Sequence, residues 1–263
     1  MGLEKIKRTA IRAAYRAGRI LNGHFGNVKQ LPKKGVIDLV TEADLEAEQS
    51  IIATIRETYP HHGILAEESG NSGTSKTDQW IIDPLDGTTN YAHNLPIYAV
   101  SIAYVQHQKV ILGLVFNPNS GELFLAARGQ GASLNGDPIH VSSTGRLNDS
   151  LLVTGFPYTI TTRDHRKTMA RFERCLTATQ GIRRLGSAAL DLCWVACGRF
   201  EGFWEENLKP WDTAAGLCIV EEAGGKVTNF SGDAYAVGDW QILATNDRIH
   251  QAMVTLLNIK DEI

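Results

Sequence analysis

The chain has 263 residues, 43% of them hydrophobic, a net charge of −3 and a pI of about 6.2. That length suits one large unit or two closely packed ones, and the apolar content is enough for a sizeable core. The mild acidity and the lack of any long basic run argue against direct nucleic-acid binding, and no apolar run approaches the length of a membrane span.

Taken in chain order, the first 21 residues place Leu3, Ile6, Ala10, Ala14, Ala17 and Leu21 at helical spacing, with Glu4, Lys7, Arg8, Arg12 and Arg16 between them. With no continuous apolar stretch, this reads as a first helix and not a signal peptide. Thr41 is an N-cap for a second helix, with Glu42 and Asp44 in its first turn, and Pro60 stops it. "GILAEESG" (63–70) and "WIIDPLDG" (80–87) read as short buried strands that each end in acid, separated by a polar loop. Residues 97–142 hold β-rich runs split by turn signals, the pattern of an antiparallel meander. From about residue 146 the pattern alternates: strand "SLLVTGF", a helix over 164–179, extended "GIRRLG", helix "SAALDLCWVACG" with Ser187 near its cap, strand "FEGFWEE", helix "WDTAAGLCIVEEAGG" closed by Gly224, strands "KVTNF" and "WQILATN", and a last helix. This predicts stacked α and β layers in one unit over 1–263, with an N-terminal α+β part to about 145 and a C-terminal α/β part from about 146. Cys175, Cys193, Cys197 and Cys218 include no C-x-x-C pair and read as core residues in a reduced cytoplasmic setting.

The densest chemistry is in "WIIDPLDGTTNY" (80–91). Asp83 precedes a proline and is pushed extended. Asp86, Thr88 and Thr89 are all N-cap types, and Gly87 admits a close backbone approach. The stretch predicts strand, tight turn and helix start, where free N–H groups favour an anion. Two carboxylates beside an anion call for a cation between them, and Mg²⁺ suits a few carboxylates plus phosphate oxygens. Glu67 and Glu68 end another apolar run, Asp212 opens an apolar helix as cap or ligand, and Asp38 and Asp44 flank the second helix. Acids at several strand ends and helix starts are what a multi-metal site requires. No G-x-S-x-G, H-E-x-x-H or Walker loop is present, and the scattered histidines give no catalytic candidate.

"AEES", "WIIDPLDGTTNY" and "PWDTAAGLCIVEEAGG", in this order and spacing, resemble the inositol monophosphatase family, and the likeness runs from "DLVTEAD" (38–44) to "ILATN" (242–246). The resemblance implies a five-layered αβαβα sandwich, usually homodimeric, and lithium-sensitive, Mg²⁺-dependent hydrolysis of phosphate monoesters. It implies a first metal on Glu67, Asp83 and the Leu85 carbonyl, a second on Asp83, Asp86 and Asp212, and a looser third held by Glu67 with a water network involving Asp44, with Mn²⁺ as a substitute. Thr88, with Glu67, would orient an attacking water for in-line displacement. The N–H groups of Gly87 and Thr88 would receive the phosphate, with Thr89 alongside. Gly186, Ser187 and Ala188 would wall the pocket, and Glu205 would accept a substrate hydroxyl. The flexible-loop lysine would be Lys33 or Lys34. The Arg183-Arg184 pair is expected to face solvent or bind a second substrate charge, with solvent preferred.

Glu205 and Glu206 are neighbours on a strand and must point to opposite faces, so only one reaches a substrate. Thr-Thr-Asn after Asp-Gly favours a small polyol or sugar phosphate, inositol monophosphate first. Fructose 1,6-bisphosphate, histidinol phosphate, 3′-phosphoadenosine phosphate and NADP stay open as alternatives. So does a phosphatase-fold protein acting on the transcription machinery.

Overall fold

The computed structural model describes residues 2–27, 41–75, 77–157 and 165–259. Lys33, Lys34 and Asp38 lie outside them. Helix α1 (Leu3–His24) and helix α2 (Glu42–Arg56) come first. Eight strands follow: β1 (Gly63–Ala66), β2 (Gly70–Ser72), β3 (Asp78–Asp86), β4 (Ala99–Gln106), β5 (Lys109–Asn117), β6 (Glu122–Ala127), β7 (Ala132–Leu134) and β8 (Asp137–Ile139). They form one sheet in the order β2-β1-β3-β4-β5-β6-β7-β8, and the short helix α3 (Thr88–Ala92) follows β3. A five-stranded sheet follows in the order β10-β9-β11-β13-β12, built from β9 (Leu151–Thr154), β10 (Gly181–Arg183), β11 (Gly202–Glu206), β12 (Lys226–Thr228) and β13 (Gln241–Thr245). Its helices are α4 (Arg166–Ala178), α5 (Ala188–Ala196), α6 (Pro210–Glu222) and α7 (His250–Leu257).

Side-chain alternation builds the layers. On the large sheet, Trp80, Ile82, Ile102, Tyr104, Leu112 and Leu114 face the alanine-rich stripe of α1 and Ala47 and Ile51 of α2. Their neighbours Ile81, Ala103 and Val115 face the other way, onto α5 and α6. The central parts of those two helices are mostly apolar on both sides because a sheet covers each: Val153, Phe203 and Ile242 of the small sheet close over them. Leu152, Trp204 and Leu243 point outward to Cys175 of α4 and Met253 and Leu257 of α7. The layers are therefore α1/α2, large sheet, α5/α6, small sheet, α4/α7, the expected αβαβα sandwich. At Gly113 a Cβ would lie 2.2 Å from the Ala215 carbonyl oxygen, so α6 rests directly on the backbone of β5.

Two local expectations change. Residues 70–72 form strand β2, paired back on β1 in a tight antiparallel hairpin, where a polar loop was expected. Its residues are half-buried or exposed because it is the edge of the sheet, so its composition does not betray it. The N-cap of α3 is Gly87, not an aspartate or threonine. Its φ of +94° is a left-handed conformation, and a Cβ there would lie 2.8 Å from the Ile97 carbonyl oxygen.

Candidate active site

Asp83 and Asp86 of β3 are three residues apart, which on a regular strand would put them on opposite faces. The ladder to β4 shifts between them. Asp83 opposes Ser101 and Asp86 opposes Ala99, so three steps on β3 match two on β4. The extra residue restores parity, and Pro84 sits within the bulge, where its missing N–H is tolerated. Both carboxylates thereby reach one place. β1 runs parallel to β3 with Ala66 level with Ile82, and the Glu67 N–H continues that pairing to the Ile82 carbonyl at 3.2 Å. Glu67 therefore comes out beside Asp83. From the middle layer, α6 contributes Asp212 at its third residue. Its Oδ2 accepts the Lys209 N–H at 2.6 Å, and the Ser101 hydroxyl, level with Asp83, holds the Trp211 carbonyl at 3.2 Å. Asp212 is thus both a helix cap and a member of the cluster.

Asp83, Asp86 and Asp212 each place a carboxylate oxygen within 4.8 Å of the others. Their surroundings penalise so much negative charge. Burial, then the charges of Glu67, Asp86 and Asp212 and a hydrogen bond with Glu67, push Asp83 well above the usual carboxylate range. Burial and Asp86 push Asp212 up to about 8. Asp86 rises to about 6 through burial, held down by its hydrogen bonds: the Ser187 hydroxyl donates to its Oδ2 at 2.5 Å and the Ala189 N–H at 2.8 Å. Ser187 is the N-cap of α5, yet its hydroxyl serves Asp86 and makes no bond to its own helix. Hard oxygen donors this crowded and this reluctant to ionise fit a divalent cation, which would supply the missing positive charge.

Behind the cluster, the Thr88 hydroxyl lies 3.0 Å from the Leu85 carbonyl and 3.3 Å from Asp44 Oδ1. Asp44 is fully buried in the capping box of α2, its Oδ2 accepting from the N–H and hydroxyl of Thr41. Burial raises it to about 6 against those bonds.

A cavity of about 430 Å³ opens in front, lined by Glu67, Asp83, Leu85, Asp86, Gly87, Thr88, Gly186, Ser187, Ala188, Glu205 and Asp212 among others. Sequence reasoning named all of these. Asp44 stands one shell back, behind Thr88. Thr89 does not line the cavity: it is exposed, because successive helix residues turn by about 100° and the turn that brings Thr88 inward carries Thr89 out. Glu205 and Glu206 separate as alternation requires. Glu205 is buried against the cavity, packed so tightly that a Cβ on Gly155 would lie 2.1 Å from its Oε2. Burial pushes it up to about 8, opposed by Arg184. Glu206 also borders the cavity, but its carboxylate is engaged with Arg171 at 2.9 Å, Thr168 at 2.8 Å and Gln241 at 3.2 Å. The arginine pair divides. Arg183 is exposed as preferred, whereas Arg184, though exposed, lines the cavity and lowers the acidity penalty of Asp86, Asp191 and Glu205.

Sequence reasoning missed Asp191 of α5, also in the lining. It is buried, its Oδ1 has no hydrogen-bond partner among the described residues, and burial raises it well above the ordinary range. Inside "SAALDLCWVACG" it looks like one polar break in a core helix. The signal available was a lone acid in an otherwise apolar helix four residues after a serine cap. Cys193 and Cys197, four apart, are free; Cys193 is buried in the core, as expected.

A five-layered sandwich with carboxylates from the large sheet and from a middle-layer helix converging on one cavity defines a metal-dependent hydrolase of phosphate monoesters. The chain matches the inositol monophosphatase family over residues 2–261. It is 47% identical over 250 residues to an inositol-1-monophosphatase of Synechocystis sp., covering 93% of this chain and 85% of that one. It is 43% identical over 258 residues to the Nus factor SuhB of Escherichia coli, covering 97% and 95%. The solved inositol monophosphatase of Anabaena superposes with a TM-score of 0.87 at 42% identity, covering 98% of this chain and 96% of that one. The chain belongs to the inositol monophosphatase family.

Proposed function

We propose that this phosphatase hydrolyses the monophosphate of a small neutral polyol, inositol monophosphate first, with Mg²⁺ as its cation. The observation that carries the substrate reading is Glu205, buried near Asp191 in the wall of the cavity that the Asp83-Asp86-Asp212 cluster also lines. Carboxyl oxygens accept hydrogen bonds from ring hydroxyls, and in the ionised form that bound cations would favour they repel a second phosphate. Asp83, Asp86, Asp212, Glu67 and the Leu85 carbonyl hold the cations, two or three in number, with Mn²⁺ a substitute. When bound, the cations polarise the phosphate, acidify water and stabilise the leaving oxygen. The N–H groups of Gly87 and Thr88 receive the phosphate. Thr88 Oγ1 and the Glu67 carboxylate orient the attacking water, and as the water attacks, Thr88 Oγ1 takes its proton while passing its own to Asp44 Oδ1, 3.3 Å away. Ser187 and Ala189 keep Asp86 turned to the cluster. The same reading includes lithium inhibition, a homodimer and a cytoplasmic setting.

The test is phosphate release from a panel of monoesters with Mg²⁺. Inositol monophosphate should give the highest kcat/KM, and a clear preference for fructose 1,6-bisphosphate or a nucleotide would overturn the substrate reading. The likeness to the Nus factor SuhB supports a second reading, action on the transcription machinery. If a deletion strain regains growth with an Asp83→Asn variant, that role is independent of catalysis.

A further inference from the structure

Helix α2 carries two buried acids one turn apart, Asp44 and Glu48. Asp44 reaches Thr88. Glu48 touches neither the cavity nor the acid cluster, and only 3% of it is exposed. Its two oxygens are both used. Oε2 accepts the N–H of Glu68 at 2.8 Å and Oε1 the N–H of Ser69 at 2.9 Å. These are the two residues that follow Glu67.

The placement matters because β1 ends at Ala66. Glu67 has one last ladder bond, its N–H to Ile82, and then the chain turns back into β2. A residue at the end of a strand is ordinarily free to swing with the turn that follows. Here the strand holds the backbone before Glu67 and the forked carboxylate of Glu48 holds it after. The two N–H groups are taken by separate oxygens of the one carboxylate. A glutamine in the same forked pose would accept one of them and set its own NH₂ against the other.

We propose that Glu48 is a positioning residue for Glu67. It fixes the backbone beyond the strand end, so that the Glu67 carboxylate is delivered to Asp83 and to the cation held there. This rests on the reading of Glu67 and Asp83 as metal ligands. The alternative is that Glu48 only closes the β1–β2 hairpin, and the two differ in what they predict for the metal. Outer partners that orient a ligand govern metal affinity, whereas a hairpin clasp governs only stability.

The experiment is calorimetric titration of Mg²⁺ into metal-stripped wild type, Glu48→Gln and Glu48→Asp, with melting curves of each metal-free protein. Asn246→Ala is the control: Asn246 is buried, its side chain holds Ser142 and the Thr144 carbonyl, and it does not line the cavity. Glu48→Gln should raise the Kd for Mg²⁺ about tenfold. Glu48→Asp, which keeps the carboxylate but withdraws it by one methylene, should give an intermediate value. Asn246→Ala should melt earlier and bind Mg²⁺ like wild type. If wild type binds Mg²⁺ and Glu48→Gln binds it equally well, the positioning role is overturned. Should Glu48→Gln not fold, an unchanged Kd in Glu48→Asp overturns it in the same way. A wild type that binds no divalent cation would instead refute the metal reading itself.

Discussion

Replacing Glu205 with glutamine should make the metal-free protein more stable while lowering its activity. Burial raises this carboxyl from 4.5 to about 8. The folded chain therefore keeps the proton at pH 7, while the unfolded chain has released it. That release stabilises the unfolded state across the interval from 4.5 to 7, at about 1.4 kcal/mol per pH unit, or about 3 kcal/mol in all. The sign follows from the raised value: the fold is unpenalised below 4.5 and loses stability as pH rises toward 8. Glutamine has nothing to release and keeps nearly the same volume against Gly155. For a chain of this size the gain corresponds to a Tm about 6 °C higher at pH 7, shrinking to about 1–2 °C at pH 5. Melting curves of both proteins in a chelating buffer at the two pH values measure it. An equal gain at pH 5 and pH 7, or none at pH 7, would show that burial does not hold the proton there. With Mg²⁺ bound, which favours the ionised form of Glu205, the same variant should lose about tenfold or more in kcat/KM for inositol monophosphate, because a hydroxyl partner is weakened, and should narrow the gap to fructose 1,6-bisphosphate. Glu206→Gln should change neither selectivity nor this pH trend, since Glu206 is engaged with Arg171.

Asp83→Asn should nearly abolish phosphate release while raising the Tm of the metal-free protein, because it removes one of three crowded acids; near wild-type turnover in Mg²⁺ would refute the ligand assignment. Thr88→Ala should cut kcat by about 100-fold with little change in KM, and Thr88→Ser should recover part of it; a change in KM alone would make Thr88 a phosphate contact and not a water-positioning group. Asp86 and Asp44 rise to about 6 and Asp212 to about 8, so the metal-free protein should lose stability as pH climbs from about 4 to 8. Saturating Mg²⁺ binds the ionised carboxylates and should reverse that slope, which paired melting series with and without Mg²⁺ will show.

Much of this was legible in the residues. Acids that close apolar runs, as at Glu67 and Asp83, mark strand ends, and Asp212 after Pro210 and Trp211 marks a helix start. What a linear reading cannot supply is parity and reach. Nothing in Asp-Pro-Leu-Asp announces that β4 pairs with one residue fewer, though the proline hints at a broken ladder. Arg184 looks like the surface partner of Arg183 until the turn at Gly186 brings its guanidinium within 2.5 Å of where a Cβ on that glycine would stand. Glu48 hid in an ordinary amphipathic helix. Its spacing of four from Asp44 placed the two acids on one face, but only the path of the chain after β1 gives that face a purpose.

The site draws Asp83 and Asp86 from a sheet, Asp212 from the helix layer beneath it, and Glu205 from a second sheet beyond that helix. Neither sheet contains a complete set. A partly assembled chain, with every strand paired but α6 not yet seated on β5, would look nearly native to far-ultraviolet circular dichroism and would release no phosphate. Turnover is therefore a reporter of layer stacking. In a refolding time course it should appear with the last step that docks the middle helices, after the secondary-structure signal has levelled off.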